Sequence, residues 1–161
     1  MKLIIFMGLQ ASGKSTFFRN YFAETYVYVS KDELRNNRKP NRRQLQLIED
    51  ALREQKPIVV DNTNPTAEVR KPLISLGHMY GAEVIGYYFD AQVSQCIERN
   101  KQRIGKARVP DVAIYVTSKK LVRPSYTEGF DKLYYVSIAD DATFEVREWF
   151  EDEVGDGGSR S

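Results

Sequence analysis

Cysteine is nearly absent from this chain of 161 residues: Cys96 stands alone. One thiol cannot close an intrachain disulfide or build a cysteine-based zinc site, so a reducing, cytoplasmic setting is expected. Cys96 itself reads as a small buried hydrophobe on a helix rather than a reactive group. Histidine is as scarce. His78 falls on a helix far in sequence from every strand end, which marks it as structural or exposed, not catalytic. Long hydrophobic runs are missing too, and the apolar stretch 3–7 is too short for a secretion-signal core or a membrane span. No repeat, low-complexity core or internal linker interrupts the chain, whose length suits one domain with a single buried core.

What is present is ordinary in bulk and uneven in detail. Apolar residues make up 42% and charged residues 29%, which excludes disorder and names no function. Charge is lopsided. Residues 140–161 hold eight acids against Arg147 and Arg160, a net of −6, so with +2 overall the first 139 residues stand at +8. A basic body suits a polyanionic partner. The acidic end is expected to be a solvated helix followed by a mobile Gly-Asp-Gly-Gly-Ser-Arg-Ser tail.

Apolar, β-branched and aromatic runs recur at 3–7, 26–29, 57–60, 82–89 and 132–138, with helix-like stretches between them. That alternation predicts an α/β domain over 1–139, a parallel sheet of about five strands with helices on both faces. Asn41 is placed to cap one helix, Pro65 to open another that ends near Gly81, and further helices are expected over 93–102 and 111–121. Ligands of such sheets gather beyond the carboxyl ends of the strands.

The strongest signal follows the first strand. Gly8-Leu9-Gln10-Ala11-Ser12-Gly13-Lys14-Ser15 fits G-x-x-x-x-G-K-[ST], with a strand before it and a helix from Thr16 after it. In that order, backbone N–H groups of a glycine-permitted turn and the positive end of a helix converge on nucleotide phosphates. Lys14 would reach the β/γ-phosphates, and the Ser15 hydroxyl would ligate Mg²⁺.

After the second strand comes Ser30-Lys31-Asp32-Glu33-Leu34-Arg35. Phosphoryl transfer to a hydroxyl needs a carboxylate to take the proton and cations to absorb charge, and Asp32 and Arg35 suit those roles. The alternative is that Asp32 caps a helix and Arg35 is a surface charge. After the third strand, Asp61 is expected to hold Mg²⁺, directly or through water, and Asn62, Thr63 and Asn64 offer polar groups to the cleft. The same Asp-Asn-Thr-Asn-Pro run is also ordinary turn chemistry.

Five cations lie between Arg99 and Arg108, across a helix end and a loop containing Gly105. They suit a basic lid closing over ATP, with Arg103 foremost and Arg99 next, or a solvated basic helix. A separate run, Arg35, Arg38, Lys39, Arg42 and Arg43, sits beside the candidate base. It reads either as a grip on phosphates flanking an acceptor end or as a solvated loop.

Together, residues 8–16, the Val29-Ser30-Lys31-Asp32 stretch, the 59–65 run, 99–110 and 124–130 resemble the polynucleotide 5′-hydroxyl kinase family, the kinase module of DNA and RNA end-repair enzymes. The resemblance covers nearly all of 2–138. It implies a P-loop kinase fold and Mg²⁺-dependent transfer of the γ-phosphate of ATP to a 5′-OH DNA or RNA end. By it, ATP is held by Gly8, Gln10, Ala11, Ser12, Gly13, Lys14, Ser15, Thr16, Arg99 and Arg103. Asp32 is implied as general base, with Lys14 and Arg103 completing the catalytic set. Lys31, Arg35, Asn62, Thr63, Asn64 and Val109 face the acceptor, Arg35 on its adjacent phosphate and Val109 against its terminal nucleotide. Lys31 stands where an arginine is commoner, so a point charge replaces a bidentate fork. No phosphatase, ligase or nuclease module is read in the chain, so any such activity is expected to reside in a separate protein or to be absent. Two rival readings share the motifs: a P-loop kinase of a nucleoside, sugar or antibiotic, and a nucleotide-dependent binding module.

Overall fold

The computed structural model describes residues 1–139 and 141–150. Its centre is β1 (Lys2–Gly8), apolar at every position from Leu3 to Met7 and fully buried there. A strand covered on both faces must be apolar on both, which is why this run shows no alternation. Parallel partners flank it: β3 (Ile58–Asp61) on one side and β4 (Glu83–Phe89) on the other. Outward from these lie β2 (Val27–Val29) and β5 (Lys132–Ile138), so the parallel strands run in the order β2-β3-β1-β4-β5.

The two faces of β1 make two cores. Leu3, Ile5 and Met7 pack with Ile48 and Leu52 of α2 (Pro40–Arg53) and Leu73 and Ile74 of α3 (Ala67–Met79). Ile4 and Phe6 pack with Phe17 and Phe18 of α1 (Lys14–Tyr21). Each such side chain stabilises the fold by about 1.5–3 kcal/mol through burial. A smaller cluster of Leu9, Ala11, Cys96 and Ile114 seats α4 (Val93–Lys101) and α5 (Asp111–Lys120) beneath the phosphate loop. Cys96 is fully buried, as its composition suggests, and burial pushes its thiol pKa up. None of the helices among the described residues is long and apolar enough to cross a membrane.

The sheet is α/β and mostly parallel, as expected, with two corrections. First, it has a sixth strand. Residues expected in an acidic C-terminal helix form β6 (Phe144–Glu148), antiparallel to β5. The reason is period-2 chemistry that the acid count hides. Phe144 meets Phe17 edge-on at 5.1 Å, whereas Trp149, five residues on and so on the opposite face, meets Tyr88 at 5.4 Å. The expected mobile tail, and the rest of that acidic segment at 140 and 151–161, lie outside the described residues. Second, two helix starts shift. Pro40 takes the first turn of α2, so Asn41 does not cap it, and Thr66 rather than Pro65 opens α3, its Oγ1 accepting from the Val69 N–H.

Candidate active site

The loop between β1 and α1 needs its glycines. Gly13 sits at φ 98°, and a Cβ there would press on Ile138 and Phe144 at 3.1 Å. At Gly8, φ 154°, a Cβ would stand 2.9 Å from the Phe89 carbonyl oxygen. Ala11 holds a left-handed φ of 62° without being glycine, a strained conformation of the kind concentrated at functional loops. Gln10 ties the loop to α5 by donating to Thr117 Oγ1 at 3.0 Å, and Arg99 reaches it from α4 by donating to the Ala11 carbonyl at 3.2 Å.

Lys14 is buried and folded over this loop. Its Nζ donates to the Leu9 carbonyl (2.6 Å), the Gly8 carbonyl (3.1 Å) and, more weakly, Ser12 Oγ (3.4 Å). Burial pulls the ammonium pKa below its ordinary value, and the charge of Asp61 opposes that shift. A cation held against neutral dipoles in this way gains strongly from a phosphate placed before it.

Asp61 closes β3 beside Phe6 and is 5% exposed. Its Oδ2 accepts from Ser15 Oγ at 3.0 Å and from the Tyr28 hydroxyl at 2.6 Å. The Tyr28 phenol is pushed well above its usual pKa, first by burial and then by Asp61, so it remains a donor. The Ser15 hydroxyl and the Asp61 carboxylate are hard oxygens of the kind that could hold Mg²⁺. Among the described residues there is no group of three or more His, Cys, Asp or Glu side chains that could hold a metal ion.

On the opposite wall, a 3₁₀ turn (Lys31–Leu34) follows β2. Its cap is Ser30, whose hydroxyl accepts from the Asp32 N–H at 3.2 Å. The capping alternative for Asp32 is thereby removed. Its carboxylate, 83% exposed, lines the cleft and stands 3.6 Å from Arg35. Lys14, Ser15, Lys31, Asp32, Asp61 and Arg103 share this cleft, so four separate sequence clusters converge on one space.

The basic loop leans over it. Arg103 lines the cleft and donates to the Ala107 carbonyl at 3.2 Å, and Arg35 donates to the Lys106 carbonyl at 2.9 Å, joining the loop to the Asp32 wall. Val109 also lines the cleft, pinned by the fully buried Asn100, which donates to the Val109 carbonyl and accepts from its N–H.

The polar run after β3 lines the cleft and also ties the surrounding loops together. Asn62 accepts from the Lys31 N–H at 2.9 Å and donates to Gln44 Oε1 at 2.6 Å, bolting the loop to the 3₁₀ turn and to α2. Asn64, at φ 42° and 2% exposed, donates to the Phe6 carbonyl at 2.7 Å. Thr63 lines the cleft, and its carbonyl accepts from the Gly8 N–H. Thr16 is exposed, does not line the cleft, and accepts from Arg19 at 3.1 Å. Four contributors escape sequence reading: Tyr28, Gln44, Asn100 and Arg70, the last donating from α3 to the Asn64 and Pro65 carbonyls. Only Tyr28 carries a signal, as a hydroxyl two residues before the strand-end Ser30; the others are polar residues within helices.

A family profile described as an AAA domain matches residues 3–122. Among curated proteins, the chain is similar to a putative bifunctional polynucleotide phosphatase/kinase of Acanthamoeba polyphaga mimivirus, at 27% identity over 85% of this chain and 33% of that one. The chain spans about a third of the length of the curated relatives it matches. Among solved structures, a gluconokinase from Sinorhizobium meliloti 1021 superposes with a TM-score of 0.62 at 22% identity, over 86% of this chain and 83% of that one. A fungal RNA kinase gives 0.67 at 14% identity, over 88% and 40%. These likenesses establish a P-loop kinase fold.

Proposed function

The chain belongs to the AAA-domain family whose profile spans residues 3–122, and on that premise we propose that it transfers the γ-phosphate of ATP to the 5′-hydroxyl end of a DNA or RNA strand. One observation carries the reading: the exposed Asp32 carboxylate stands in the same cleft as Lys14, Ser15 and Asp61, with Arg35 3.6 Å away. A nucleotide switch would need only the Lys14 half of that cleft. A kinase needs both halves.

In the proposed reaction, Asp32 accepts the proton of the attacking hydroxyl and orients its oxygen in line with the γ-phosphorus. Lys14 leaves the Gly8 and Leu9 carbonyls for the phosphate oxygens. Arg103 comes from the other side and, with Lys14, stabilises charge on the transferring group. Arg35 and Lys31 hold the phosphate next to the acceptor hydroxyl, and Val109 packs on the terminal nucleotide. Ser15 and Asp61 would hold Mg²⁺, which when bound neutralises charge on the β- and γ-oxygens. The Tyr28 hydroxyl keeps the Asp61 carboxylate aimed at Ser15.

The nucleic-acid acceptor is supported by the motif resemblance and by the polynucleotide phosphatase/kinase name of the curated relative. A small-molecule acceptor is the second reading, supported by the gluconokinase, which matches along most of both chains. Labelled ATP offered with 5′-OH DNA, 5′-OH RNA, nucleosides and sugar acids separates them. Label on oligonucleotide ends is expected. Label confined to a small molecule would overturn the acceptor assignment.

A further inference from the structure

The cleft accounts for Arg35 and leaves the rest of its basic run unused. Between Arg35 and Arg43 the sequence carries five cations and no acid. Arg38, Lys39, Arg42 and Arg43 are all exposed, and with Asn36 and Asn37 they line a shallow depression where the 3₁₀ turn passes into α2. Among the described residues none of these four cations forms an ion pair; the one side-chain bond is Arg43 Nη1 donating to Gln46 at 3.3 Å. The solvated-loop reading would leave this surface free to drift relative to the cleft. The structure anchors it instead. Gln44, next to Arg43 and 5% exposed, accepts from Asn62, which in turn accepts from the Lys31 N–H beside Asp32. The depression begins four residues beyond Asp32, and from Arg35 to Arg43 no acid interrupts the cations.

We propose that Arg38, Lys39, Arg42 and Arg43 form a track for the phosphodiester backbone of a single strand, gripping phosphates on the 3′ side of the one that Arg35 holds. The inference rests on the proposed acceptor and makes it a strand rather than an isolated nucleotide. Cations without acidic partners suit a surface that reads phosphate and not base, so DNA and RNA serve alike. Anchoring through Gln44 and Asn62 sets the register between track and base, so a strand lying in it delivers its end to Asp32.

The test replaces Arg38, Lys39, Arg42 and Arg43 together with Gln and compares this protein with one carrying Lys2, Lys71, Lys119 and Lys120→Gln, which loses the same charge elsewhere. Fluorescence anisotropy reads binding of single-stranded DNA and RNA of about a dozen nucleotides across a salt series. Phosphate transfer is measured in parallel on the oligonucleotide and on a 3′-phosphorylated nucleoside. In the track variant, affinity at low salt should fall at least tenfold, and the slope of log affinity against log salt should flatten by about 0.7 for each phosphate no longer neutralised. Turnover of the 3′-phosphorylated nucleoside should stay within twofold of wild type. Unchanged affinity and slope, or an equal loss in both quadruple variants, would overturn the track. If 5′-OH ends are phosphorylated with an unaltered slope, the track fails and the reaction stands. Track-dependent strand binding without transfer to any 5′-OH end would leave the track standing and remove the reaction.

Discussion

Arg70 offers the sharpest test of how the fold holds the cleft. The side chain is fully buried in α3, and burial pulls its guanidinium pKa down while the charge of Glu128 opposes that shift. It donates to the carbonyls of Asn64 (2.8 Å), Pro65 (3.2 Å) and Val122, and it pairs with Glu128 at 3.1 Å. Replacing it with Met fills similar space but takes the guanidinium from the Asn64 and Val122 carbonyls and from the largely buried Glu128 carboxylate, which keeps the Ser125 N–H, while the Pro65 carbonyl keeps the Val122 N–H. Breaking a buried pair from one side costs about 3–5 kcal/mol. Against a total stability of about 5–15 kcal/mol, that is a large fraction. For a chain of this size it corresponds to a fall in melting temperature of roughly 6–20 °C. Arg70→Lys should recover less than half, because one ammonium cannot fork to four acceptors. Urea unfolding gives the energies, and hydrogen exchange at Val122, whose N–H donates to the Pro65 carbonyl, localises the damage. A loss below about 1 kcal/mol in Arg70→Met, or full recovery in Arg70→Lys, would refute the reasoning.

Three further outcomes follow from the geometry. Asp32→Asn should lower phosphate transfer by about 10²–10⁴ while nucleotide affinity measured by calorimetry stays near wild type, since the carboxylate is exposed in the cleft and makes no bond to the phosphate loop; retained turnover would remove Asp32 as the proposed base. Gly13→Ala should weaken nucleotide binding and cost roughly 1–3 kcal/mol of stability, because its φ of 98° and the 3.1 Å approach to Ile138 and Phe144 both oppose a Cβ. Asp131 is penalised by burial, yet the Val84 N–H and His78 outweigh that and hold its pKa below the ordinary 3.8. A lowered carboxylate stabilises above its unfolded pKa and loses that contribution as pH falls through the folded one. Melting curves should therefore show Asp131→Asn less stable than wild type near neutrality and converging with it in acid; a gap independent of pH would contradict this.

The phosphate loop was readable because its chemistry is local. Glycines at fixed spacing, a lysine and a hydroxyl must follow one another on a single turn, so Gly8 to Ser15 carry the donor half in order. The five parallel strands were readable for a similar reason, since strands buried on both faces must be apolar runs. β6 was not, because a net charge says nothing of the alternation that puts Phe144 and Trp149 on opposite faces. Nor could spacing decide between cap and base for Asp32; Ser30 took the cap, and only the folded turn shows it. The roles of Asn62 and Asn64 were set by partners 18 and 58 residues away, at Gln44 and Phe6. The sequence by itself determined the strand-loop-helix unit and the chemistry it presents to a nucleotide, because those depend on neighbours along the chain. Which carboxylates share the cleft with Lys14, and which polar side chains tie its walls together, only the tertiary structure decided, because these contacts join elements far apart in sequence.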